Sequence, residues 1–149
     1  MNIIEYFSTE DQEHWLAQIK ECEWGAAQYL YELLRDRRLK ELTGENTRLL
    51  MLTEGEQLVS FCTLAEKDDI QPTELTPWIG FVYTRPEYRG RRLMGKLLSH
   101  AEELARANGM ERVYISTNHT GLYEKYGYAF YSMMKDVEGE DSRVYAKRL

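Results

Sequence analysis

The sequence contains few cysteines, since Cys22 and Cys62 are the only two among its 149 residues. One lies in a predicted helix and the other in a predicted strand, so we expect buried, reduced thiols and no disulfide framework. The first residues also lack the basic region and the long apolar run of a secretory signal. Together these features favour a cytoplasmic protein.

Long apolar runs and an excess of positive charge are missing as well. No segment is long and apolar enough to span a bilayer. The net charge of -6 argues against a surface adapted to nucleic acid or to anionic membranes. A hydrophobic content of 43% is enough for one proper core. We therefore expect a single domain over residues 1–149 that binds neither nucleic acid nor membrane.

The sequence also lacks the motifs of metal sites and of serine hydrolases. No group of histidine, cysteine and carboxylate residues has the spacing of metal ligands, so we expect no metal site. No serine lies in the glycine-flanked elbow of the α/β-hydrolases.

The most informative stretch predicts a strand, a turn and a helix. Residues 78–84 are apolar, aromatic and β-branched, as in a buried strand, and Pro86 ends that strand. Beyond the turn, Asn108-Gly109 supplies a left-handed helix stop. Between them, apolar residues recur at three- and four-residue spacing, which predicts a helix with one apolar face. These residues are Leu93, Met94, Leu97, Leu98, Ala101, Leu104 and Ala105.

The turn between this strand and helix is basic in an acidic chain. Amides at the start of a helix have no intrahelical partner, and the helix dipole is positive there, so a phosphate group is a suitable ligand. Gly90 allows such a ligand to approach the backbone closely. A solvated basic turn is the alternative on these residues alone. The charged residues are Arg85, Arg89, Arg91, Arg92 and Lys96, opposed by Glu87.

Two motifs in this order resemble signatures of the GNAT superfamily of N-acetyltransferases. The first is Phe81-Val82-Tyr83 followed by RPEYRGRRLMGKLL at residues 85–98, and the second is LYEKYGY at residues 122–128. The resemblance implies an α/β fold with a mixed, mostly antiparallel sheet, flanking helices and one parallel strand-helix-strand unit at the cofactor site. It also implies acetyl transfer from acetyl-CoA to a primary amine of a small molecule or a protein, by direct attack. A homodimer is compatible with it, and the sequence determines neither the acceptor nor the oligomeric state.

The resemblance also implies which residues hold acetyl-CoA. The main chain of Phe81, Val82 and Tyr83 would hold the pantetheine arm and polarise the thioester carbonyl. Asn118 resembles an asparagine that contacts the cofactor, although its spacing to Tyr123 is shorter than usual. The loop expected to bind the phosphates contains Arg89, Gly90, Arg91, Arg92, Leu93, Met94 and Gly95.

This phosphate loop departs from the family pattern at two positions. Arg92 and Met94 fall where the family has small residues. Either Gly90 and Gly95 replace those residues functionally, or Arg92 lies in ordinary helical geometry, since a left-handed non-glycine residue costs roughly 1–2 kcal/mol.

The residues for proton transfer are less completely predicted. Tyr123 matches the tyrosine that protonates the departing thiolate, because its free pKa of about 10 keeps it protonated at neutral pH. Core packing is the alternative for this tyrosine. The general base is His119, a loop carboxylate such as Glu74, or a water relay. One of the carboxylates in the loop before the cofactor strand could face an incoming ammonium group, and solvation of the loop is the alternative for each; they are Glu66, Asp68, Asp69 and Glu74. His119 has an intrinsic pKa of about 6.5, which suits the task.

Two other functions stay open on the sequence. Residues 90–96 match the G-x-x-x-x-G-K pattern of nucleotide-binding loops, but Leu97 stands where that loop needs serine or threonine to ligate magnesium. The other alternative is a non-catalytic sensor that binds acyl-CoA.

The rest of the chain completes the expected fold. A capping box at Thr9 and Gln12 starts one predicted helix. The resemblance implies that the first two helices and the loop between them wall the acceptor pocket, so Trp24 and Tyr29 could touch the substrate, although core packing is the preferred assignment for both. Further helices are predicted over residues 26–39 and 122–126, and strands over residues 2–7, 48–53, 57–64, 112–116, 128–135 and 143–149.

Overall fold

The computed structural model describes residues 1–149 and contains one seven-stranded mixed sheet. The spatial strand order is β1-β2-β3-β4-β5-β7-β6, and every neighbouring pair is antiparallel except β4 with β5. This arrangement confirms the predicted fold class. The strands are β1 (Asn2–Glu5), β2 (Arg48–Glu54), β3 (Gln57–Ala65), β4 (Trp78–Thr84), β5 (Arg112–Thr117), β6 (Ala129–Lys135) and β7 (Asp141–Arg148).

Helices cover both faces of the sheet, and none is long and apolar enough to cross a bilayer. Period-two alternation in the strands supplies both interfaces. Leu49 and Met51 of β2 pack with α1 and α2, whereas Leu50 and Leu52 pack with α4. The helices are α1 (Gln12–Lys20), α2 (Gly25–Arg35), α3 (Leu39–Thr43) and α4 (Met94–Ala107).

Two helix predictions are wrong in detail. The helix predicted over residues 26–39 ends early at Arg35, because Arg37 adopts a left-handed φ of 57°, and a separate helix begins at Leu39. The Thr9 capping box does not form, since α1 begins at Gln12 with Asp11 before it and without a side-chain cap. The stop after α4 is confirmed. Gly109 has φ 82°, and the Met110 amide donates to the Ala105 carbonyl at 3.0 Å.

Strands β4 and β5 separate soon after they pair. The parallel ladder contains only Trp78 with Tyr114 and Ile79 with Ile115. On its other side β4 carries a bulge opposite Cys62, which places the two residues after Gly80 against one residue of β3. Beyond Ile79 the edge of β4 that faces β5 therefore has no strand partner, and a wedge opens between the two strands.

A buried polar cluster joins α4 to β7 and to Tyr128, the residue before β6. Glu102 of α4 accepts from the Tyr128 hydroxyl at 2.8 Å and from the Lys147 ammonium at 2.9 Å. The same ammonium donates to the Tyr126 carbonyl at 2.9 Å. These contacts flank a 3₁₀ turn over Tyr123–Tyr126, where a short helix over residues 122–126 is predicted, and the predicted stop at Gly127 has φ 92°.

Candidate active site

A cleft of about 1010 Å³ lies in the wedge between β4 and β5. Its walls come from β4, the turn before α4, the end of β5, the 3₁₀ turn and the loop before α2. Two predicted site residues, Arg91 and Gly95, do not line it. The predicted residues that do are Phe81, Val82, Tyr83, Arg89, Gly90, Arg92, Leu93, Met94, Asn118, His119 and Tyr123.

The phosphate loop presents unpaired backbone donors. The amides of residues 90–94 donate to no backbone acceptor, and the first amides after them bond within the turn, Gly95 to the Arg92 carbonyl at 3.2 Å and Lys96 to the Leu93 carbonyl at 3.0 Å. Gly90 has φ 83° and Arg92 has φ 56°. The backbone thus offers a run of free donors at a helix start, which fits a pyrophosphate group.

The structure corrects the predictions made for Arg92 and Gly95 in this loop. Arg92 is left-handed, so the expectation of ordinary helical geometry is wrong for it. Gly95 does not replace a small loop residue, because it lies inside α4 against another element. A Cβ there would lie 3.0 Å from Cε1 of Tyr126, so Gly95 lets the 3₁₀ turn approach the helix.

Positive charge surrounds the loop without paired carboxylates. Arg89 is oriented by its own contacts, since its Nε donates to the Thr84 carbonyl at 2.9 Å and its guanidinium lies 5.5 Å from the Tyr83 ring centroid. Arg91 lies over the Tyr88 ring instead, outside the cleft. Arg92 is exposed and lines the cleft. Arg89 and Arg92 therefore combine with the free amides to make an anion site.

The opposite wall carries the residues expected to transfer protons. Tyr123 is only 5% exposed, and no protein group hydrogen-bonds to its hydroxyl. Burial, followed by the nearby Cys62 and Asp68, raises the pKa of this tyrosine above its ordinary value, so it stays protonated across the physiological range. His119 and Asn118 are exposed in the turn after β5, where the His119 amide donates to Thr117 Oγ1 at 3.0 Å.

Aromatic side chains form the remaining wall. Trp24 stacks on Tyr83 with ring centroids 5.3 Å apart and an interplanar angle of 10°. Tyr29 lies 6.3 Å from Phe81 and is 50% exposed, so the assignment of Tyr29 to core packing is wrong. These four rings lie at the end of the cleft formed by α2 and the bulged part of β4.

The comparisons with known proteins agree with this geometry. The sequence profile of the acetyltransferase (GNAT) family matches residues 9–128. The chain belongs to this family. The expected cofactor, acetyl-CoA, is thereby confirmed at the level of the family. The similarity of residues 90–96 to a nucleotide-binding loop therefore no longer supports a nucleotide-binding function.

Solved structures share the fold at low sequence identity. A GNAT-family acetyltransferase structure from Desulfovibrio desulfuricans is 16% identical with a TM-score of 0.72, covering 99% of this chain and 98% of that one. The aminoglycoside 6'-N-acetyltransferase from Enterococcus faecium is 16% identical with a TM-score of 0.69, covering 99% and 97%. A GNAT acetyltransferase from Elizabethkingia anophelis, solved with acetyl-CoA bound, is 14% identical with a TM-score of 0.68, covering 99% and 97%. Among curated proteins no relative matches the sequence.

The sequence interpretation of this GNAT domain named four loop carboxylates as candidates to face the amine, without choosing among them. Asp68 and Asp69, in the loop before β4, line the cleft, whereas the proposed base Glu74 is exposed elsewhere on the same loop. All three residues lie in one polar, proline-containing segment without periodicity. No sequence signal separates the carboxylates that face the cleft from the one that does not.

The left-handed Arg92 predicts an unusual stability change. Replacing Arg92 with glycine should raise the free energy of unfolding by about 1 kcal/mol, because glycine adopts positive φ without steric cost. Urea denaturation of the protein without ligands would measure this. The control is Arg91→Gly, whose native residue has no positive φ, and it should not stabilise. An Arg92→Gly protein less stable than the parent would contradict the strain assignment.

Proposed function

We propose that this chain is an N-acetyltransferase that moves an acetyl group from acetyl-CoA to a primary amine by direct attack. One acyl-CoA N-acyltransferase domain over residues 1–149 would carry the reaction. The observation that supports it best is the joining of two features in one cleft that Tyr123 also lines: a phosphate loop with free amides, and an edge of β4 without a strand partner.

Each end of the cleft has a distinct task in this proposal. The loop amides with Arg89, Gly90, Arg92, Leu93 and Met94 hold the pyrophosphate, and Asn118 contacts the cofactor from the opposite side. The main chain of residues 81–83 holds the pantetheine arm and donates to the thioester oxygen as that oxygen becomes negative. The bulge supports this role, because it turns β4 groups out of the ladder with β3.

Acetyl-CoA supplies the activated acetyl group as a thioester. Tyr123 donates a hydrogen bond and then its Oη proton to the sulfur as the carbon–sulfur bond breaks. The tyrosine recovers a proton from the attacking nitrogen, which must lose one when the amide forms. His119 lines the same part of the cleft and stays a candidate for accepting the first proton from the ammonium group.

The features of the acceptor end suit an amine. Four aromatic rings, Trp24, Tyr29, Phe81 and Tyr83, and two carboxylates, Asp68 and Asp69, line it. Aromatic faces and carboxylates attract ammonium groups. The Enterococcus faecium relative acts on an aminoglycoside, so amino sugars belong in the first panel of acceptors, together with polyamines and peptide amines.

Thermal denaturation with acetyl-CoA tests this function. A ligand at about 100 times its dissociation constant stabilises the folded state by about 2.7 kcal/mol, which corresponds to a Tm increase of roughly 5–10 °C at this chain length. We expect the increase with acetyl-CoA and none with magnesium-ATP. Arg92→Glu should reduce it, most strongly at low salt, because phosphate contacts near the surface are screened.

The matched control is Arg112→Glu, an exposed arginine at the start of β5 outside the cleft, which should keep the full increase. Stabilisation by magnesium-ATP alone would contradict the proposal. Stabilisation by acetyl-CoA without thiol release in the presence of any amine would instead indicate a non-catalytic acyl-CoA sensor.

A further inference from the structure

The loop between β3 and β4 brings a carboxylate into the reaction cleft. The Lys67 amide donates to the Thr43 carbonyl at 3.0 Å, and the Val137 amide donates to the Asp69 carbonyl at 2.8 Å. Ile70, 1% exposed, packs with Trp78 beneath the loop. The backbone on both sides of Asp68 is therefore tied to other elements, and its side chain has a defined position.

Glycine at position 80 makes room for this carboxylate. A Cβ built on Gly80 would lie 2.2 Å from Asp68 Oδ1 and 2.7 Å from its Cγ. The Asp68 carboxyl group thus rests directly on the backbone of β4. Gly80 is the residue before Phe81, where the bulge starts. The carboxyl group therefore lies next to the main chain that is proposed to polarise the thioester carbonyl.

The groups that face Asp68 are acidic or neutral. Asp69 is its neighbour on the loop, and Asp136 of the β6–β7 turn faces Asp69. Tyr123 is near enough that the Asp68 charge contributes to its raised pKa. No cation pairs with Asp68. Burial, reinforced by Asp69, raises the pKa of Asp68 to about 7. This value lies closer to that of an amine than an ordinary carboxyl pKa does, so proton transfer from an ammonium group is less unfavourable.

We propose that Asp68 is the general base of the proposed acetyl transfer. The inference rests on that function. One Asp68 carboxylate oxygen accepts a proton from the acceptor ammonium, and the nitrogen's freed electron pair forms the carbon–nitrogen bond. The carbon–sulfur bond breaks, its electron pair stays on sulfur, and sulfur takes the Tyr123 proton. Tyr123 is reprotonated by the nitrogen, and Asp68 releases its proton to water, so the net products are an amide, the CoA thiol and one proton.

The other candidate bases are less well placed than Asp68. Glu74 is exposed and does not line the cleft. His119 is exposed in a turn, where no second group orients its ring. Asp68 alone lies against β4 at the start of the bulge.

The test compares Asp68→Asn with the parent protein. The probes are spermidine, kanamycin and an unblocked peptide, with release of the CoA thiol as the readout. The parent rate at low amine concentration should rise with pH through a midpoint near 7, following the Asp68 carboxylate. Asp68→Asn should lose at least about 100-fold in kcat and lose this pH dependence, while its acetyl-CoA dissociation constant stays within about twofold of the parent.

Two matched variants distinguish a general base at Asp68 from a nonspecific effect of the negative charge on this loop. Glu74→Gln removes an exposed carboxylate of the same loop outside the cleft, and we expect parental kinetics. Asp69→Asn removes the charge that helps to raise the Asp68 pKa, so the midpoint of the pH profile should move to lower pH. A pH midpoint that persists in Asp68→Asn but disappears in His119→Asn would overturn the proposal.

Stability gives a readout that a merely structural aspartate would not produce. Because the folded-state pKa of Asp68 is raised from 3.8 to about 7, ionisation opposes folding above that range. Asp68→Asn should therefore raise Tm relative to the parent above pH 7, and the gain should decline as pH falls to about 4. A lower Tm at pH 8 would overturn the assignment of an unpaired, desolvated carboxylate.

A further measurement does not depend on turnover. The ¹³Cγ resonance of Asp68 should titrate near pH 7, and spermidine should lower that midpoint, because an ammonium group stabilises the carboxylate. A midpoint near 4 that no amine changes would overturn the proposal even if no acceptor is acetylated. Failure of the proposed function itself would appear separately, as absence of acetyl-CoA binding by the parent protein.

Discussion

Replacing Tyr123 with phenylalanine is expected to lower kcat about 100-fold while leaving the dissociation constant of acetyl-CoA nearly unchanged. The ring fills the same buried space at the cleft wall, so the variant loses only the hydroxyl, which has no hydrogen-bond partner in the protein. A hydroxyl that makes no structural hydrogen bond contributes little to folding, so the effect should fall on kcat rather than on stability.

The pH dependence of this variant separates the two proton-transfer residues. Because its pKa is raised by burial, Tyr123 keeps its proton throughout pH 6–9, and the rate loss in Tyr123→Phe should be the same at every pH in that range. The midpoint near pH 7 assigned to Asp68 should therefore persist in the slower enzyme. Steady-state kinetics with acetyl-CoA binding by calorimetry would measure both quantities. Equal rates for the two proteins would remove Tyr123 from the mechanism.

Removing Glu102 is expected to cause the largest loss of stability. Glu102→Leu takes the acceptor from the Tyr128 hydroxyl and from the Lys147 ammonium. Leaving a buried donor unsatisfied costs about 1–3 kcal/mol, and breaking a buried pair costs more. The Lys147 side chain is 29% exposed, so water recovers part of this loss. We expect a decrease of about 2–3 kcal/mol, or roughly 6–9 °C in Tm.

A double variant distinguishes charge burial from simple loss of packing. Glu102→Leu combined with Lys147→Met removes both charges, and it should recover at least part of the stability that Glu102→Leu loses. The matched control is Glu103→Leu, the neighbouring carboxylate of α4, which is exposed and paired with Arg106 at the surface. It should change Tm little. A double variant no more stable than Glu102→Leu would mean that the pair contributes through packing alone.

The cluster also explains how the fold supports the site. Glu102 lies on α4, Lys147 on β7 and Tyr128 just beyond the 3₁₀ turn that carries Tyr123. On the other side of that turn, Gly95 lets Tyr126 approach α4. The position of Tyr123 is thus determined by contacts of its turn and of Tyr128 to two elements that are distant in the sequence, α4 and β7.

Local sequence determined most of the elements of this protein. Strand β4 covers residues 78–84, as its apolar, β-branched composition predicts. The stops at Gly109 and Gly127 form because glycine adopts left-handed geometry freely. The basic turn followed by an amphipathic helix indicated an anion site through the free amides of a helix start. Each of these features depends on neighbours within a few residues, and such interactions can be read from a sequence.

Tertiary structure alone decided which residues meet in the cleft. Arg92 is left-handed although arginine does not favour that geometry, and Tyr29 is exposed although it lies near an apolar helix face. Asp68 enters the cleft and Glu74 does not, because the loop is tied down by partners from α3 and the β6–β7 turn. These outcomes depend on contacts between residues far apart in the chain, whose energies no local pattern contains.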